Sequence, residues 1–74
     1  MRIKSHIMHL SELIKTIKKR REVLKISQEN LAEISGVGLR TLKHLESNKG
    51  NPTIKTLEKL ASVLGMEIKM EVKK

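Results

Sequence analysis

The stretch Ser27–Lys49, SQENLAEISGVGLRTLKHLESNK, decides how the chain folds. Its spacing predicts two short helices joined by a tight turn. Ser27 suits an N-cap, because its hydroxyl can accept a hydrogen bond from a first-turn N–H that lacks an intrahelical partner. Leu31 and Ile34 fall three apart on one predicted face, and Ala32 is small enough to let another helix approach. Gly36 stands where the first helix must stop, since glycine takes the left-handed conformation of a C′ residue without steric cost. Val37 follows as an apolar anchor. Gly38 can open a second helix that carries Leu42 and Leu45 inward.

Several of these positions must agree at once: Gln28, Ala32 four residues on, Gly36 eight on, then Val37, Leu42 and Leu45. The pattern resembles the helix-turn-helix of the phage-repressor and Cro-like family, also called XRE-type. The resemblance spans about residues 10–65. It implies a mainly all-α, lambda-repressor-like domain of four to five helices that reads double-stranded DNA in the major groove.

Composition points the same way by a separate route. A chain of 74 residues suits one small domain, which buries only about 60% of its unfolded surface and is correspondingly marginal. The net charge is +8, and residues 1–26 carry eight Lys or Arg against two Glu, while the remainder carries eight against six. Such an excess suits a polyanion, because each neutralised phosphate releases condensed counterions; a merely solubilising basic surface is the plain alternative. There is no Phe, Tyr or Trp, so the base-stacking platforms on which single-strand binders depend cannot be built. A duplex read through its grooves needs none. Asp and Cys are also absent, which leaves a thin catalytic repertoire and excludes disulfides and thiolate metal sites. The expectation is a non-enzyme without a cofactor. No apolar run suits a signal peptide or a membrane span, so the chain is expected to be soluble and cytoplasmic, nucleoid-associated when on DNA.

Residues 1–9 carry no helix signal and read as a short strand or a disordered basic arm. His6 and His9 stand three apart, but no third ligand is near, and no metal site is expected. Helix one is expected to start at Ser11 as N-cap, with Leu10, Leu13, Ile14, Ile17 and Leu24 on its buried face. Arg21 interrupts that face. A buried guanidinium needs a carboxylate, and Glu46, four after Leu42, is the candidate partner; family resemblance implies the same salt bridge. Lys18, Lys19 and Arg20 read as a solvated basic run, with Lys18 the best placed for a phosphate.

Residues 47–52 form a loop by composition, and the family carries a similar loop with a basic residue and an Asn-Pro pair. Thr53 caps a last helix whose Ile54, Leu57, Leu60, Ala61 and Leu64 face the core, and Gly65 ends it. Residues 66–74 depart from the repressor pattern. Apolar and charged residues alternate through Met66, Ile68, Met70 and Val72, the period of a half-buried strand. One strand alone cannot satisfy its backbone. Its partner is either the N-terminal segment or the same strand of a second chain; the expectation is the second, antiparallel across a two-fold axis, making this a dimerisation strand. Four helices followed by a strand resembles the HipB-type antitoxins, which implies a homodimer and a toxin protein as partner.

With Leu42 and Leu45 inward, the helical period points Arg40, Lys43 and His44 outward. Arg40 can pair with guanine O6 and N7 together through its planar fork. Lys43 could reach a guanine or a phosphate, and His44 a base acceptor or only water. Leu39 could touch a thymine methyl group or pack internally. Gln28, at a helix start that favours anions, is expected on the DNA backbone, as the family commonly uses it. Thr41, Lys49 and Asn51 would clamp neighbouring phosphates, which fix register rather than sequence. The reading is a dimeric repressor on a palindromic operator, in one form the antitoxin of a toxin–antitoxin pair. The alternatives are a stand-alone phage-type or restriction-controller regulator, and a protein-interaction adaptor without DNA binding.

Overall fold

The computed structural model describes residues 2–4 and 10–69. In chain order these form β1 (Arg2–Lys4), α1 (Leu10–Val23), α2 (Gln28–Ser35), α3 (Leu39–Glu46), α4 (Ile54–Val63) and β2 (Glu67–Lys69). Four short helices around one aliphatic core, with a two-stranded sheet at one side, give the mainly α architecture expected.

Each helix begins and ends for local reasons. Ser27 Oγ accepts the Asn30 N–H at 3.0 Å, and Thr53 Oγ1 accepts the Thr56 N–H at 3.1 Å, so α2 and α4 are both capped by their own hydroxyls. α1 differs from expectation: Leu10 is already helical, and Ser11 lies inside the first turn. At the other ends the chain turns left-handed. Gly36 has φ 75° and donates its N–H to the Ala32 carbonyl. Three further helices close with the paired bonds of a Schellman motif. In α1, Lys25 (φ 58°) donates to Glu22 and Ile26 to Arg21. In α3, Asn48 (φ 61°) donates to Leu45 and Lys49 to His44. In α4, Gly65 donates to Ser62 and Met66 to Ala61.

The core gathers one stripe from each helix. Ile17, Leu31, Leu42, Leu45, Leu57, Leu60 and Leu64 are fully buried, with Leu13, Ile14, Ala32, Val37 and Ala61 around them. Four residues expected inside are not. Leu10 and Leu24 are 41% and 40% exposed, standing at the two ends of α1 outside its buried Leu13–Ile17 stretch. Ile54 is the first residue of α4 and likewise overhangs the core. Ile34, 65% exposed, fails for an angular reason. Leu31 and Ala32 together set the inner face of α2, and at about 100° per residue Ile34 lies roughly 110° from its middle.

The two strands pair in parallel, Arg2 opposite Glu67, Ile3 opposite Ile68 and Lys4 opposite Lys69. A parallel pair needs a long crossover, and here α1–α4 together supply it. The partner of β2 is therefore the N-terminal segment of its own chain, the arrangement set second in the sequence reading. Met66, expected in a seam between chains, is buried in this chain's core at 6% exposure, and Ile68 packs half-buried against the same core. Met66 and Ile68 thus pack on the helical domain of their own chain. Met70, Val72, His6 and His9 lie outside the described residues.

Candidate nucleic-acid interface

α3 divides cleanly. Leu42, Leu45 and Glu46 are buried, whereas Arg40, Thr41, Lys43 and His44 are exposed. The spacing is that of an amphipathic helix whose outer face is cationic. Leu39, Arg40, Lys43 and His44 line one shallow groove on that face. Leu39 is half-buried and packs against the core, which favours its internal role. Val37 anchors the turn in the core. Gly38 leads into α3 with extended backbone (φ −59°, ψ 141°) and supplies no side-chain cap, but its carbonyl accepts the Leu42 N–H at 2.9 Å.

Position is fixed from behind by one carboxylate. Arg21 Nε donates to Glu46 Oε2 at 2.7 Å, and Nη2 donates to Oε1 at 2.9 Å, a two-point fork. The third guanidinium nitrogen, Nη1, donates to the Ile26 carbonyl at 2.8 Å. The side chains are 12% and 2% exposed. Hydrogen bonding to Glu46 raises the Arg21 pKa above its ordinary value and outweighs the opposing effect of burial. Gln28 completes the cluster, with Nε2 donating to Glu46 Oε1 at 3.0 Å. Glu46 on α3 is thereby bound to α1 and to the first residue of α2. Among the described residues no buried side-chain nitrogen or oxygen lacks a partner.

Sequence reasoning anticipated the Arg21–Glu46 pair and missed the third member. The sequence reading places Gln28 on the DNA backbone; in the structure its amide nitrogen also binds Glu46. The signal was available, since a carboxylate oxygen accepts more than one donor and Gln28 begins the helix nearest to Arg21 in sequence. Arg20 was also misread as solvated. It is half-buried, and its Nε donates to the Leu64 carbonyl at 3.0 Å, tying α1 to the end of α4.

Lys49 and Asn51 are exposed in the loop after α3. The backbone N–H of Lys49 is held on the His44 carbonyl at 2.8 Å, so this cation is anchored at the end of α3. Among the described residues no group of three or more His, Asp or Glu could hold a metal ion, and no helix is long and apolar enough to cross a membrane.

Two helices joined through a glycine-ended turn, the second with a buried apolar edge and a cationic outer face, define a helix-turn-helix DNA-binding domain. Comparison with known families agrees: residues 17–69, well over half of the chain, match the helix-turn-helix family model. The chain belongs to the XRE-type helix-turn-helix family, that of the Cro-like and phage-repressor regulators. That family is one of DNA-binding regulator domains rather than of enzymes. No curated protein and no solved structure matches the chain.

Proposed function

We propose that the protein is a sequence-specific repressor that binds a palindromic operator as a homodimer. The observation that carries this reading is the outer face of α3, where Arg40, Lys43 and His44 stand exposed while Leu42, Leu45 and Glu46 hold the helix down. Arg40 reads a guanine by its two-point fork. Lys43 and His44 contact the neighbouring bases or phosphates. Lys49 and Asn51, beyond one end of α3, and Thr41 on its flank grip the backbone and set register. Gln28 acts chiefly by holding Glu46, and through it α3, in place.

The dimer forms through the terminal sheet. A two-stranded sheet has an outer edge on each strand, and an isologous contact there pairs β2 with its copy, antiparallel, across a two-fold axis. Such a dimer sets the two recognition helices about one turn of DNA apart, ~34 Å. With Met66 committed to the core, Ile68 is the described residue that carries this contact. The resemblance of the C-terminal strand to HipB-type antitoxins supports a further role, in which the repressor also holds a toxin; a toxin-like reading frame beside the gene is the cheapest check.

The test is a pair of substitutions on a selected operator and on random duplex. Arg40→Ala is expected to cost roughly 1–3 kcal/mol on the operator and to relax one base position. Lys49→Ala should weaken both duplexes alike and flatten the salt dependence. Equal losses from both variants on both duplexes would overturn the assignment of base reading to Arg40.

A further inference from the structure

Arg20 is held at one nitrogen and open at the other two. Its Nε donates to the Leu64 carbonyl at 3.0 Å, and Nη2 lies 3.7 Å from where a Cβ on Gly65 would stand. The bond to Leu64 satisfies a carbonyl at the C-terminal end of α4, where a cation also suits the helix dipole. Neither Nη1 nor Nη2 donates to an acceptor among the described residues, and both reach solvent, since no buried side-chain nitrogen there lacks a partner. A guanidinium fixed in this way presents a preformed two-point edge to a carboxylate.

What lies beside that edge is apolar. Thr16, Lys19, Arg20 and Val23 recur at i, i+3, i+4 and i+7 along α1 and line one groove whose surface is almost wholly apolar. Thr16 spends its hydroxyl on the Glu12 carbonyl at 2.9 Å, and Val23 is 61% exposed. Lys19 is exposed and makes no ion pair among the described residues. Glu12, on the same flank of α1, lies about two turns before Lys19 and pairs with neither cation. At about 100° per residue this flank is roughly 120° round α1 from Lys15 and Lys18, which share a cleft with the end of α3. The groove borders the end of α4 instead, away from the flank nearest the recognition helix.

We propose that this groove docks a partner protein, through a segment in which an Asp or Glu stands beside an aliphatic side chain. The carboxylate bridges Nη1 and Nη2 of Arg20, Lys19 adds its charge, and the aliphatic group covers Val23 and Thr16. Two cations beside an apolar floor select this occupant over a purely apolar helix face, which would strand both charges. They also select it over a second copy of a chain that carries +8. The site depends on neither the operator nor the dimer.

The probe is the capped peptide Leu-Glu-Leu-Glu-Leu, titrated into the isotope-labelled protein and followed by its amide and arginine Nε signals. Shifts are expected at Thr16, Lys19, Arg20, Val23, Leu64 and Gly65, with a Kd on the order of 1 mM. The peptide with Gln for both Glu should bind about tenfold more weakly, because a charge-assisted pair is lost. Arg20→Lys keeps the charge and a donor for Leu64 but has no fork; it should melt as the wild type does and bind about tenfold more weakly. Val23→Glu lies outside the core and should abolish binding at an unchanged melting temperature. If Arg20 only caps α4, the Glu and Gln peptides behave alike, which overturns the proposal. Shifts spread over all the exposed lysines and arginines overturn it as unspecific attraction. A mixed-sequence duplex should leave the peptide's shifts in place; a duplex that abolishes them makes the groove a DNA contact and removes the protein partner. The same shifts on concentrating the protein without peptide make the occupant a second copy, which also overturns it.

Discussion

The segment from Ser27 to Lys49 and the terminal sheet solve the same problem in opposite ways. In the first, nearly every polar end is met within a few residues: the Ser27 hydroxyl on Asn30, the Gly36 N–H on Ala32, the Lys49 N–H on His44. In the second, three-residue strands meet only after the chain has passed through all four helices. Contacts of the first kind form with little loop-closure entropy, and those of the second must wait for the helices to assemble. The comparison teaches that the DNA-reading unit is locally determined and the sheet is a consequence of the packed domain. Substitutions in each region should therefore fail differently.

The largest effect is expected where the local unit has its charged long-range tie. Glu46→Ala strands the Arg21 guanidinium, and a buried charge left without its partner costs on the order of 3–5 kcal/mol. A thermal melt should show a drop of many degrees, and operator binding should fall only because α3 is less well held. An unchanged melting temperature would show that the Arg21–Glu46 fork contributes nothing to the fold.

Ile68→Asp tests the sheet. The side chain is half-buried against the core, so losing its apolar contact and placing a carboxylate there should cost about 2 kcal/mol. Sedimentation separates the two roles of this residue. If the strand also joins two chains, the variant sediments as a monomer and binds a palindromic operator weakly. If it serves the single chain alone, stability falls while the assembly state does not change. Deleting residues 1–4 sharpens the comparison, because it removes β1 while leaving Ile68 in place.

A smaller loss follows from Gly36→Ala. Nothing lies within 4 Å of the added methyl group, so the cost is purely that of a left-handed L-residue, about 1–2 kcal/mol by chemical denaturation. The smallest effect has the opposite sign. Lys25 holds φ 58° at the end of α1, and Lys25→Gly relieves that conformation, for a gain of a few tenths to ~1 kcal/mol after the greater freedom of the unfolded glycine chain is subtracted. A lower midpoint in denaturant would contradict it.

What could be read from the chain follows the same division. Ser27, Gly36, Leu42, Leu45, Thr53 and Gly65 were legible because a cap, a stop or a helical stripe depends on neighbours in sequence. So was the Arg21–Glu46 fork, because a cation on an apolar face demands an anion and few positions could supply one. Leu10, Leu24, Ile34 and Ile54 were misplaced because hydrophobicity alone does not say where a short helix outruns its neighbours. The bond of Arg20 to Leu64 and that of Gln28 to Glu46 were not legible, because both exposed and buried partners suit a long polar side chain. The pairing of β2 with β1 was one of two open arrangements, since alternation reveals a strand without naming its neighbour. In the described structure Met66 turned inward because Gly65 redirects the chain from α4 back toward the core.

The split across α3 has one more consequence. Leu42, Leu45 and Glu46 carry the duties of folding, while Arg40, Lys43 and His44 make no side-chain contact on which the core depends. Mutation can therefore alter the outward letters one at a time without unsettling the frame that presents them. If Arg40, Lys43 and His44 read bases as proposed, a new operator preference is within reach of a few exposed substitutions, and the same scaffold can be redirected to another stretch of DNA while melting at the same temperature.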